Sequence, residues 1–258
     1  MEQHVGSWLN PLAAALPAGL RALVDVHLLF ALGVIALIGL LAWSSSRRLT
    51  LVPSSKLQSV GEWAYEGLMG LSRGILGDAA DHYGWIMGSF FIYILFLNLT
   101  GLIPGFLSPT ARVNTTLALA LCSITIAQIV GIQRNGVRYF TRFFICTKKG
   151  IPLFPQPLKI LEELIKPVSL SMRLFGNIFG DDTAVAAFAV LGAGALTMLF
   201  GASPAAGVLG RFEGLVGLPL GVGITAVMIA MGMLVAFIQA MVFSLLTGAY
   251  ILFAIEME

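Results

Sequence analysis

The sequence predicts an all-α, polytopic membrane protein with about five hydrophobic segments, the last two forming a long tilted hairpin, plus an amphipathic helix at the membrane surface. Three observations predict it. Hydrophobic residues make up 58% of the 258 and charged residues only 11%. Several apolar runs exceed the roughly 18 residues needed to cross a bilayer. Two of these runs are about twice as long as a crossing requires. The net charge is +2 and the basic residues are spread among loops, so no nucleic-acid partner is expected.

The elements follow in chain order, within one membrane domain over residues 1–258. Residues 1–23 form an outer N-terminal segment without a motif, and residues 24–43, "VDVHLLFALGVIALIGLLAW", are the first span, with Asp25 and His27 at its outer mouth. No cationic n-region or short apolar core with a small-residue cleavage site precedes it, so the span is expected to be retained. Residues 44–83 are expected to be cytoplasmic or interfacial. Leu57, Val60, Ala64, Leu68, Leu71 and Ile75 recur at helical spacing, while Lys56, Glu62, Glu66 and Arg73 fill other faces. That pattern suits a helix lying in the interface or packing on a neighbouring subunit. Residues 84–133 hold two spans, at 84–104 and 114–133, in which Asn98 and Gln128 read as helix-packing polar groups. Residues 134–157 are a basic loop whose "TKKGIPLFPQPLK" carries three prolines and breaks helix. Residues 158–258 form the hairpin, with stretches at 158–201 and 212–255 that must tilt, bend or break. Gly192, Gly194, Gly201 and Pro204 are candidate breaks and Pro167 a candidate kink.

Charge sets the expected orientation. Arg47, Arg48, Lys56 and Arg73 lie in one loop and Arg134, Arg138, Arg142, Lys148 and Lys149 in another, against Arg21, Arg112 and Arg211 on the opposite side. The positive-inside rule then places the N-terminus outside and Glu256 and Glu258 in the cytoplasm. Short basic loops without a transit peptide favour a bacterial inner membrane. Cys122 and Cys146 show no CxxC spacing, so neither a metal site nor a disulfide framework is expected, and no cofactor.

The run "SMRLFGNIFGDD", residues 171–182, carries the sharpest functional signal, because an ionisable group deep in an apolar segment is a functional-site hypothesis. On a helix turning about 100° per residue, Asn177 lies about 40° from Arg173, and Gly180 and Glu162 about 20° away. Lys166 joins this stripe and Gly176 flanks it, so the face steps down to small residues that admit a close neighbour. Asp182 falls about 180° from Arg173 and Asp181 about 80°. The arginine and Asp182 therefore face different surroundings, read as two separate water-filled pockets. Glu162 and Glu163 also suit a solvated helix start. In the last segment Gln239 is the strongly polar side chain, placed to hydrogen-bond across the hairpin to Asn177 and hold Arg173.

The run "KPVSLSMRLFGN", residues 166–177, resembles subunit a of rotary F-type ATP synthases, the membrane stator that faces the rotating c-ring. "FIQAMVFSLLTGAYI" (237–251) is similar to that family's last helix, with weaker likeness in "FLNLTGLIPG" (96–105) and "NTTLALAL" (114–121). The resemblance implies H⁺ translocation through two offset half-channels. It makes Arg173 the stator arginine that meets each passing c-subunit carboxylate, with Asn177 and Gln239 its polar neighbours. Asp182 falls where relatives usually carry glutamate in the outer half-channel, and Glu162 near the cytoplasmic one. The neighbouring Asp181 either joins that path or marks a solvated helix break. Some relatives have a histidine seven positions before the last helix's glutamine; here it is Gly232, so access water or Glu213 is expected to fill the gap beside Asp182. The implied partners are the c-subunit ring, the peripheral-stalk b subunits and the remaining ATP synthase subunits, within the lipid bilayer.

Physical chemistry agrees with these roles. An arginine stays charged at any relevant pH and forms a fixed gate, whereas a carboxylate takes up and releases protons. Two rival classes are weaker. An intramembrane aspartyl protease needs GxGD, but "NIFGD" has Ile178 at the first glycine; a secondary transporter calls for broken helices and an internal repeat, which the long segments do not offer. No GxxxxGK[ST] phosphate loop is present, so by itself the chain is not expected to hydrolyse nucleotide.

Overall fold

A computed structural model describes residues 26–46, 56–103, 109–136, 139, 144–146, 152–155, 157–200 and 208–256. The helices are α1 (Val26–Ser46), α2 (Lys56–Leu76), α3 (Ala80–Gly101), α4 (Val113–Asn135), α5 (Pro157–Phe200) and α6 (Val208–Ile255). Short 3₁₀ turns at Gly77–Ala79 and Pro109–Ala111 lead into α3 and α4. Between α4 and α5, Phe144–Cys146 (β1) and Pro152–Pro155 (β2) pair antiparallel. This small ladder is the part of the chain where the three prolines had excluded helix.

The helices carry the apolar runs. Gln58–Gly101, Val113–Asn135 and Gly223–Ile255 are long and apolar enough to cross a membrane, and Leu28–Ser44 is a shorter apolar helix. The first of these stretches is not one rod. Gly77, at φ +54, adopts a left-handed turn that suits glycine, and α2 folds back on α3. Ser72 meets Gly84, where an added Cβ would lie 3.1 Å from the serine Cβ, and Leu68 sits over Gly88 one turn further along each helix. The buried seam of α2 is Gln58, Ser72 and Leu76, while Val60 and Leu71 of its expected apolar face are exposed. Small and polar residues let α2 approach α3 closely, so its bulky apolar side chains are left for lipid or another chain.

Hydroxyl and amide bonds stitch the helices together, as suits a bundle with no water to drive association. Thr116 and Ser171 share a hydrogen bond at 3.0 Å, Ser123 and Thr247 one at 2.8 Å, and Ser244 donates to the Met87 carbonyl at 2.8 Å. Asn98 donates to the Ala236 carbonyl at 3.4 Å and accepts from Thr110 at 3.0 Å. Around these bonds Met87, Phe90, Ile94, Leu170, Leu174, Phe243 and Ile251 form the buried core. Ala31 and Val34 of α1 pack on Leu97 of α3 in a smaller cluster.

α5 and α6 are the expected long pair. α5 runs unbroken from Pro157 to Phe200 with Pro167 inside it. Gly192 and Gly194 therefore do not break the helix, which accommodates single glycines at a cost of only about 1 kcal/mol each. Gly201 and Pro204 lie outside the described residues.

Candidate functional site

The site is built on α5 and its pairing with α6. Pro167, Leu170, Ser171, Leu174 and Ile178 recur at helical spacing and are buried, as are Gly232, Ala236, Gln239, Ala240, Phe243 and Thr247 of α6. Two contacts fix the antiparallel register: Asn177 Nδ2 donates to Gln239 Oε1 at 2.8 Å, and Lys166 Nζ lies 5.6 Å from the Tyr250 ring centroid. Eleven residues separate the two contacts on each helix. With its inner face so engaged, α5 presents Met172, Arg173, Gly176, Asn177, Phe179 and Gly180 outward.

Arg173 is exposed, and among the described residues it forms no ion pair. Beside it, a Cβ at Gly176 or Gly180 would meet nothing within 4 Å. The described residues thus make no use of the space those glycines leave. Gln239 is only 3% exposed. It accepts from Asn177, and its own Nε2 is buried with no hydrogen-bond partner among the described residues. Asp181 is half-buried, and its Oδ2 is likewise buried and unpartnered among the described residues. A buried amide or carboxylate left this way calls for a further partner, such as water or a neighbouring chain.

The other expected residues separate from this group. The side chains of Asp182 and Glu213 lie outside the described residues, although both backbones are helical. Register levels Asp182 with Leu234, and Glu213 is twenty-one residues earlier on the unbroken α6, about 31 Å along its axis. By backbone position, Glu213 is not level with Asp182. Gly232 is not an open gap either, because a Cβ there would come 2.8 Å from Leu102. Of the two acids at the start of α5, Glu162 is 68% exposed at its side chain and Glu163 only 16%. It is Glu163 that turns into the protein.

Glu163 leads to a cluster that sequence reasoning missed. Glu163, Lys166, Tyr250, Gln128 and Tyr139 line a small cavity with Ile124, Ala127 and Phe253. Tyr139 reaches it from the segment after α4, hydrogen-bonded to Gln128 and buried against Gly131, where any side chain would overlap its ring. Asn135 closes the same end by donating to the Ala254 carbonyl at 2.8 Å. The one available signal was the Glu163–Lys166 spacing of three, which pairs side chains on a helix.

Comparison with known proteins identifies the family. The family model for the ATP synthase A chain matches residues 27–252. The chain belongs to that family. It is 31% identical over 238 residues to "ATP synthase subunit a" of Protochlamydia amoebophila, covering 90% of this chain and 81% of that one. It is 38% identical over 207 residues to the subunit a of Moorella thermoacetica, covering 80% of each. To "ATP synthase subunit a 3" of Pelobacter propionicus it is 36% identical over 227 residues, covering 86% of this chain and 84% of that one. An ATP synthase A chain is a multi-pass membrane subunit that works among the other subunits of the complex and is not itself the catalyst.

Proposed function

We propose that the chain is the ion-translocating stator of a rotary F-type ATP synthase, with Arg173 as the gate that faces the c-subunit ring. One observation carries the reading: the deepest cation of the long hairpin points out of the chain, without an ion pair among the described residues, from a face lowered by Gly176 and Gly180. A permanent charge left bare in a membrane is costly unless something outside the chain receives it. A rotor carboxylate passing that face is such a receiver.

In this mechanism H⁺ enters through an outer half-channel containing Asp182 and Asp181, reaches the ring carboxylate, and leaves through an inner half-channel near Glu162. Arg173 meets each returning carboxylate, favours its ionised form and blocks direct passage between the two channels. Asn177, bonded to Gln239, keeps the face in shape. Glu213, near the start of α6, belongs to the outer mouth rather than to the gap beside Asp182. α1, α3, α4, α5 and α6 provide five crossings of a bacterial inner membrane, with the N-terminus outside and the C-terminus cytoplasmic. The ring, the peripheral-stalk b subunits and the remaining ATP synthase subunits are the partners.

The test is Arg173→Ala in the assembled complex. Coupled ATP synthesis should be lost while the complex still purifies with its full set of subunits; synthesis at the wild-type rate would remove Arg173 from the gate.

A further inference from the structure

Lys166 is the second cation on the stripe that bears Arg173. It stands seven residues earlier, about 20° round the helix and about 10 Å along the axis. The two are treated in opposite ways. Arg173 is exposed and forms no ion pair among the described residues, whereas the Lys166 side chain is 20% exposed and doubly paired. Its ammonium lies 3.1 Å from Glu163 Oε2 and 3.8 Å from Glu162 Oε1, and the Tyr250 ring sits under it.

An ammonium has three protons to place and no acceptor of its own. Glu163 takes one and the face of Tyr250 attracts the charge. The neighbouring cavity has room for about one water molecule and offers Tyr139 and Gln128 as further polar groups. Three helices and the segment after α4 thus converge on one lysine, whereas Arg173, though within electrostatic reach of Tyr250, has no ion pair among the described residues. Glu162 contributes less, since a largely exposed carboxylate is screened by solvent.

We propose that Glu163 is a positioning residue for ion transfer: it holds Lys166 neutralised and turned inward against Tyr250, leaving Arg173 as the uncompensated cation facing the rotor. The proposal rests on the stator reading above. Without Glu163, an extra positive charge stands two turns from the gate on the same stripe. It repels H⁺ in the inner half-channel and competes with Arg173 for the ring carboxylate.

The experiment uses the complete ATP synthase in inverted membrane vesicles, reading ATP-driven H⁺ pumping with a pH-sensitive dye and subunit content by mass spectrometry. Glu163→Gln should assemble and lower pumping several-fold, and adding Lys166→Gln should restore at least half of the wild-type rate. Unchanged pumping in Glu163→Gln, whose amide still accepts from Lys166, would reduce the pair to a staple between helices and overturn the proposal. A double variant no better than Glu163→Gln would also overturn it, because the carboxylate itself would then be the working group. If Glu163→Gln fails to assemble, the double variant alone decides by the same half-rate threshold. Arg173→Ala in parallel separates the two levels: retained synthesis there removes the stator reading itself, whereas its loss without rescue by Lys166→Gln removes the Glu163 assignment alone.

Discussion

Asn177 and Gln239 show what a single bond contributes at the proposed gate. Both are lone amides in apolar runs, and each lacks a partner on its own helix, so their pairing was legible from sequence and is present at 2.8 Å. Removing Asn177 strands the buried Oε1 of Gln239 without its donor, at a cost of about 1–3 kcal/mol, and removing Gln239 frees the Asn177 side chain from its fixed place. Asn177→Ala and Gln239→Ala should therefore each slow ATP synthesis, and the double variant should be little worse than the weaker single one; strictly additive losses would mean the bond does not support the gate. The acids were less legible. A helical wheel ranks Glu162 above Glu163 by its angle from Arg173, but it does not say which side α4 and α6 will occupy, and they occupy the side of Glu163. At the outer end, Asp182→Asn should slow H⁺ pumping more than Asp181→Asn, given that Asp182 falls on the position where relatives usually carry glutamate. The reverse order would move the half-channel acid by one residue.

At the scale of elements, length was readable and close packing was not. An apolar run of about 44 residues with polar side chains strung along it had to be a helix far longer than a bilayer is thick, and α5 is that helix. Its glycines gave a false cue, because Gly192 and Gly194 are consistent with a break but do not impose one. On α2 the apolar periodicity pointed to a face that is only partly buried, since contact with α3 follows small residues rather than large ones. The same rule governs α3 and α6. Gly248 receives the Met87 side chain, and any Cβ there would overlap the sulfur. Gly248→Leu should accordingly destabilise the bundle by about 1–3 kcal/mol. Thermal unfolding of the detergent-solubilised complex would register this as earlier release of the subunit, and Met87→Ala should recover part of the loss. No change in Gly248→Leu would contradict the packing described for this helix pair.

At the scale of the whole molecule, one half of a machine is recognisable by what it leaves undone. The polar groups of the core satisfy one another, through Thr116 with Ser171, Ser123 with Thr247 and Asn98 with Thr110. The exceptions gather on the hairpin: exposed Arg173, the free Nε2 of Gln239 and the free Oδ2 of Asp181 among the described residues. A secondary transporter would close its ion site within its own fold, near the midplane and between its own helices. This chain instead turns its cation outward, and a fixed guanidinium repels the cations it would have to conduct. Purified alone into lipid vesicles under an imposed pH gradient, the chain should pass H⁺ no faster than empty vesicles do; co-reconstitution with the c-ring and b subunits should open a flux, and in the complete complex Arg173→Ala should leave that flux uncoupled from ATP synthesis. Gradient-driven H⁺ flux through the chain alone, saturable and abolished by Asp182→Asn, would instead mark a self-contained transporter and displace the stator reading. The outcome turns on where the mobile carboxylate resides. The described helices supply a fixed charge and a shaped face, and in the proposed mechanism the group that carries the ion past them belongs to another chain.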